Sequence, residues 1–234
     1  LADTSSGVKA SLRSPHMLPR IAVVDPELLA GAPAAVMAAA GMDALSQLIE
    51  PFVSARANPL TDALARDGIR RSARSLRRGV QAPDVAAFED LALASLFGGL
   101  CLANAGLGAV HGFAAPLGGM FPAPHGAVCA ALLPAVMDVN LRALRARAAS
   151  HPSVARFDEV AVLLTGDPSA RAAQGLAFIE ALRRDLAIPG LARWGVGAGD
   201  LPKLVDKARV ASSMKANPIA LTDAELTEIV ERSL

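Results

Sequence analysis

Of the 234 residues, 53% are hydrophobic and only 19% charged, a balance that supports a large buried core and excludes a disordered chain. The 23 basic and 22 acidic side chains nearly cancel, so no electrostatic footprint for nucleic acid is present. With aromatics at 3%, the core must be built from Ala, Leu and Val, and Ala and Leu favour helix.

The N-terminal stretch has neither an initiator Met nor the charged-then-apolar layout of a signal peptide, and reads as a fragment or a processed product. Residues 8–12 alternate loosely and residues 21–24 form a short β-branched run, with Pro15 and Pro19 between them. Two strands are expected there. Two strands alone are marginal in water, so self-association through this segment, or its disorder, is expected as well.

From Asp25 onward, helix punctuation repeats. Asp25, Asn58 and Asp167 each precede a proline (Pro26, Pro59, Pro168) suited to the first helical position. Asp84 caps a segment running through Leu102, and Thr222 with Glu225 forms a capping box. Gly190, Gly195, Gly197 and Gly199 mark breaks near the C-terminal end. Roughly eight helices in a single domain follow from this pattern.

Residues 91–137 contain no Asp, Glu, Lys or Arg. A membrane span needs ~20 apolar residues in a row, but Pro116, Pro122, Pro124 and Pro134 interrupt this run. A buried helix, a turn-rich connection and a second helix are expected instead. Cys101 and Cys129 lie in apolar surroundings without CxxC spacing, and read as small buried thiols in a reducing compartment.

His111 and His125 fall inside the same uncharged run. Backbone carbonyls would satisfy two core histidines; neutral imidazoles after Gly/Pro-rich turns also suit a divalent metal. Upstream, residues 41–50 are helical by pattern and place Asp43 and Gln47 at i and i+4 on one face. Carboxylate and amide oxygens from that face, with two histidines, would make a tetrahedral or open site. Arg66, Arg70, Arg74 and Arg78 form a stripe, with Asp62 and Asp67 four residues before Arg66 and Arg71. This reads as a solvated face of i,i+4 pairs. Gly106 and Gly108, like Gly195 and Gly197, begin a G-x-G, but His111 and Asp200 occupy the last position of a dinucleotide fingerprint. Neither is a phosphate loop.

Residues 18–27, 41–50 with 58–64, 104–112, and 116–119 followed by 124–126 together resemble the iron-containing (group III) alcohol dehydrogenases. Glycerol dehydrogenase and dehydroquinate synthase are relatives of that family. The resemblance implies a mainly α fold, with residues 26–234 as the multi-helix C-terminal, metal-binding domain of a dehydroquinate synthase-like fold. Residues 1–25 would then be two short β-strands left from a missing nucleotide-binding domain. It implies Asp43, His111 and His125 as ligands of Fe²⁺ or Zn²⁺. Gln47 stands where iron-dependent members have His, as a weak oxygen ligand or none. Ala115 stands where the family often has another active-site His, and Lys9 aligns with a lysine near the nucleotide.

The same resemblance implies NAD or NADP as cofactor and a small alcohol, aldehyde or ketone as substrate. It implies no nucleic-acid or membrane partner, and a cytoplasmic homodimer or higher oligomer. The family's Gly-Gly-Gly-Ser-type phosphate loop does not occur in these residues. The chain by itself is therefore expected not to transfer hydride. Two alternatives stay open: a catalytically silent metal-binding or assembly domain, and a metal-independent reductase of the same family.

Overall fold

A computed structural model describes residues 2–3, 8–9 and 14–234. Among them nine α-helices follow in order: α1 (Ala34–Val53), α2 (Pro59–Gln81), α3 (Val85–Ala105), α4 (Ala109–Met120), α5 (His125–Arg147), α6 (Ser153–Thr165), α7 (Ala172–Asp185), α8 (Leu201–Arg209) and α9 (Asp223–Glu231). Several begin where capping chemistry stands in the sequence. Asn58 Oδ1 accepts the Thr61 N–H at 3.2 Å ahead of α2, and the Thr61 hydroxyl accepts the Asn58 N–H in return. Asp84 accepts the Ala87 N–H at 2.8 Å, and Thr222 and Glu225 exchange bonds at the start of α9. Asp25 caps only a 3-10 turn, Pro26–Leu29.

Asp167 does not start a helix. Its carboxylate accepts both the N–H and the hydroxyl of Ser169 in a local turn. α7 begins five residues later, where Asp158 of α6 takes the Ala172 N–H at 2.8 Å. The strand expectation also changes. Val8–Lys9 pairs antiparallel with Ala2–Asp3, Ala2 opposite Lys9, and this backbone lies against α4; residues 10–12 lie outside the described residues. Residues 21–24 have no regular structure, with Ile21 and Val23 more than 80% exposed. They do not join the sheet of Ala2–Asp3 and Val8–Lys9, and their exposure leaves their N–H and C=O groups open to solvent.

α1 lies at the centre, packed on α2, α3 and α5, with Met42, Leu45, Leu48, Ile49 and Phe52 fully buried. α3 and α5 are the two helices among the described residues long and apolar enough to cross a membrane. The apolar window of α5 is 89% buried within the bundle, so its hydropathy is that of a core helix. The arginine stripe of α2 is solvated, with Arg70, Arg74 and Arg78 exposed, but its ion pairs are not all the i,i+4 ones. Asp67 pairs with Arg71 as its spacing suggests, but Asp62 takes Arg156 of α6 in a two-pronged bond and Arg66 reaches Glu159. Arg71 and Arg74 converge on Asp90 of α3. α2 is flanked by α3 and α6, and long guanidinium arms reach acids on both neighbours.

One contact sets the geometry of the site. Gly126, in the first turn of α5, lies so close to α1 that a Cβ there would stand 2.3 Å from the Ala39 carbonyl oxygen. Only glycine permits that approach. It clamps the start of α5 against α1.

Candidate metal centre

Asp43, Gln47 and Glu50 sit at i, i+4 and i+7 of α1 and project from one side of the helix. Facing them is the start of α4. Gly106 ends α3 with a positive φ of 72°, and Gly108 leaves open the space that two side-chain oxygens use. A Cβ on Gly108 would lie 2.8 Å from Asn217 Oδ1 and 2.9 Å from Glu50 Oε1. Those same oxygens cap α4, accepting the Ala109 N–H at 3.1 Å and the Val110 N–H at 2.7 Å. The first N–H groups of a helix lack partners inside it and favour negative charge, so a buried carboxylate fits there. The glycines of this G-x-G open a helix start to distant side chains rather than to a phosphate.

The other oxygen of Glu50 lies 2.6 Å from His111 Nδ1. A carboxylate at that distance fixes a hydrogen on Nδ1, which donates to Glu50 and turns Nε2 toward α1. Nε2 lies 3.2 Å from Asp43 Oδ1. His125, the first residue of α5, brings its own Nε2 to 3.8 Å from the same oxygen, and the two rings are 5.5 Å apart. Cys129, one turn along α5, places Sγ 3.9 Å from His111 Nε2 and 3.7 Å from His125 Nε2. One donor atom from each of Asp43, His111, His125 and Cys129 lies within 4.8 Å of all the others. Gln47 stands beside them as its spacing required, with its Nε2 donating to Asp43 Oδ2 at 2.9 Å. The amide steadies the second carboxylate oxygen. Lys9 belongs to the short N-terminal strand, and its side chain lies outside the described residues.

Burial pushes the Asp43 carboxyl up, but the hydrogen bond from His111 and the charges of His111 and His125 outweigh it and hold it below the ordinary range. Burial works the opposite way on His111, where bonds to Asp43, Cys129 and Glu50 prevail and push the imidazole up to about 12. The pocket therefore attracts positive charge, here a proton on an imidazole held between two carboxylates. Burial pushes the Cys129 thiol up to about 12. Two imidazoles, a carboxylate and a sulfur are the donors that suit a divalent ion of the Fe²⁺ or Zn²⁺ type. An apolar groove of about 460 Å³ opens onto Asp43 and His125, walled by Val36, Ala39, Leu186, Ile188 and Trp194.

Sequence reasoning missed Glu50 and Cys129. Both repeat a helical spacing already in view: Glu50 extends the stripe of Asp43 and Gln47, and Cys129 lies at i+4 from His125.

The same helical bundle recurs in solved proteins. A solved 1,3-propanediol oxidoreductase superposes on 90% of this chain and 55% of its own, with a TM-score of 0.82 and 36% identity. The C-terminal domain of the Fe-containing alcohol dehydrogenase family matches residues 37–234, and the chain belongs to that enzyme family. It is 37% identical over 240 residues to 1,3-propanediol dehydrogenase of Klebsiella pneumoniae, covering 100% of this chain and 60% of that protein. Lactaldehyde reductase of Escherichia coli K12 is 38% identical over 218 residues, covering 93% of this chain and 55% of that protein. The chain thus spans some 55–60% of the length of these relatives. The expectation of a mainly helical, alcohol-dehydrogenase-type domain holds.

Proposed function

We propose that this chain is the metal-binding and substrate-facing half of an NAD(P)-dependent oxidoreductase that interconverts a small alcohol and its carbonyl compound. The observation that supports it most is the convergence of Asp43, His111 and His125 from three helices within the region that matches the family. These three would hold Fe²⁺ or Zn²⁺. The bound ion supplies Lewis acidity toward a substrate oxygen. Glu50 keeps a hydrogen of His111 on Nδ1, so the proton that a bound ion would displace is the one on Nε2, which faces the site. Gln47 holds Asp43 in place through its second oxygen. The groove beside Asp43 and His125 offers apolar walls to a carbon chain and keeps water from it.

Residues 1–25 belong, on this reading, with a nucleotide-binding domain, and Lys9 lies toward its NAD or NADP. The whole enzyme is taken as a cytoplasmic homo-oligomer. Metal content tests the core of the proposal. After dialysis against Zn²⁺ or Fe²⁺, wild type is expected to retain the ion stoichiometrically and Asp43→Ala to lose it. Equal retention by both proteins refutes the metal centre and returns the two histidines to core packing.

A further inference from the structure

We propose that Cys129 is the fourth metal donor, a thiolate in the place left by the absence of an imidazole at position 47. The inference rests on the metal centre proposed above and specifies its chemistry. Gln47 is otherwise engaged. Its Nε2 donates to Asp43 Oδ2, and its Oε1 lies on the side of α3, where a Cβ on Gly98 would stand 3.5 Å from it.

Cys129 occupies the remaining corner. Bonds of about 2.0–2.1 Å to nitrogen and oxygen and about 2.3 Å to sulfur, at tetrahedral angles, place N and O donors about 3.3 Å apart and sulfur about 3.6 Å from nitrogen. The two O···N edges from Asp43 Oδ1 measure 3.2 and 3.8 Å, and the two S···N edges 3.9 and 3.7 Å. The remaining two edges are within 4.8 Å. The four measured edges thus lie within about 0.5 Å of those of a tetrahedral four-donor site.

The other buried thiol shows the contrast. Cys101 Sγ lies 3.4 Å from the Thr61 carbonyl oxygen, the usual resting place for a core thiol. Cys129 Sγ faces two imidazole nitrogens instead. On binding, the S–H bond of Cys129 and the Nε2–H bond of His111 break, metal bonds form in their place, and both protons pass to solvent with no change of oxidation state. Asp43 and the thiolate then supply two negative charges to a divalent ion, which leaves the buried ligand set neutral. A sulfur donor selects for softer ions, so the site prefers Zn²⁺ to Fe²⁺.

Cobalt reports on this directly, because a thiolate bound to Co²⁺ gives an intense near-ultraviolet charge-transfer band that oxygen and nitrogen donors do not. Wild type and Cys101→Ala are expected to show the band on titration with Co²⁺. Cys129→Ser and Cys129→Ala, with folding checked by circular dichroism, should lose it while still taking up Co²⁺ more weakly. Stoichiometric Co²⁺ uptake by wild type without the band overturns the assignment of Cys129 and leaves the metal centre standing. No uptake at all by wild type overturns the metal centre itself, and the thiolate assignment with it.

Discussion

Replacing Glu50 with Gln changes almost no volume, yet it should disable His111 as a ligand. The carboxylate accepts twice, from the Val110 N–H at 2.7 Å and from His111 Nδ1 at 2.6 Å, and Glu50 is 5% exposed, so water cannot substitute. Glutamine has one accepting oxygen and one donating NH₂. The Val110 N–H, at the buried start of α4, can be met only by the oxygen. The NH₂ then faces Nδ1, donor against donor. The imidazole relieves this by giving up the Nδ1 hydrogen and keeping the one on Nε2, which leaves an N–H toward Asp43 where the ion requires a lone pair.

Groups that orient a ligating histidine typically change metal affinity by ~10–100-fold, about 1.4–2.7 kcal/mol. The reversal of the tautomer puts Glu50→Gln at the upper end, on the order of 100-fold. Chelator competition with Zn²⁺ measures the affinity, and ¹⁵N-detected NMR of the imidazole reports which nitrogen carries the hydrogen. An affinity within about threefold of wild type, with the hydrogen still on Nδ1, would refute the reasoning and leave packing alone to orient the ring.

Two further substitutions test how the site is built and supported. Gly126→Ala forces a methyl group against the Ala39 carbonyl and should cost about 1–3 kcal/mol in urea denaturation. It should also weaken Zn²⁺ binding, since α5 must move away from α1; unchanged stability and affinity would show that the clamp is not needed. Asp90, bonded to Arg74, Ser75 and Arg71, has its carboxyl held down to about 2. A depressed acid stabilises the fold above its unfolded value near 3.9, and that stability is lost as pH falls toward about 2. Asp90→Asn should therefore lose roughly 2 kcal/mol at pH 7, since each tenfold change in proton affinity between the folded and unfolded chain is worth about 1.4 kcal/mol. The deficit relative to wild type should shrink toward zero as pH falls through that window, and a deficit independent of pH would contradict the ion-pair account.

Short-range chemistry was the legible part of this molecule. The capping groups at Asn58, Asp84 and Thr222 work within three residues of themselves, and each starts the helix that its spacing suggests. Where a distant partner competes, local reading fails. Asp62 stands four residues before Arg66, a favourable spacing on an isolated helix, yet it turns to Arg156, whose guanidinium meets both carboxylate oxygens. Residues 21–24 have the composition of a strand but do not pair with the short sheet of Ala2–Asp3 and Val8–Lys9. Asp167 has the composition of a cap, but the hydroxyl and N–H of Ser169 are nearer than any helix.

The metal centre combines both kinds of information. Spacing shows which side chains share a face: Asp43 with Gln47 on α1, and in retrospect Glu50 with them and Cys129 with His125. Spacing does not show how near two faces come. That depends on whether a side chain intervenes, and at both critical crossings the intervening residue is glycine. Gly126 lets α5 meet the α1 backbone, and Gly108 lets Glu50 reach the first turn of α4. With an ordinary residue at either place, the same Asp43, His111 and His125 would lie on well-formed helices too far apart to share an ion. The glycines beside the histidines thus decide whether those histidines can act together, a role their position in a G-x-G or a Pro-His-Gly sequence conceals until the opposing backbone is in view.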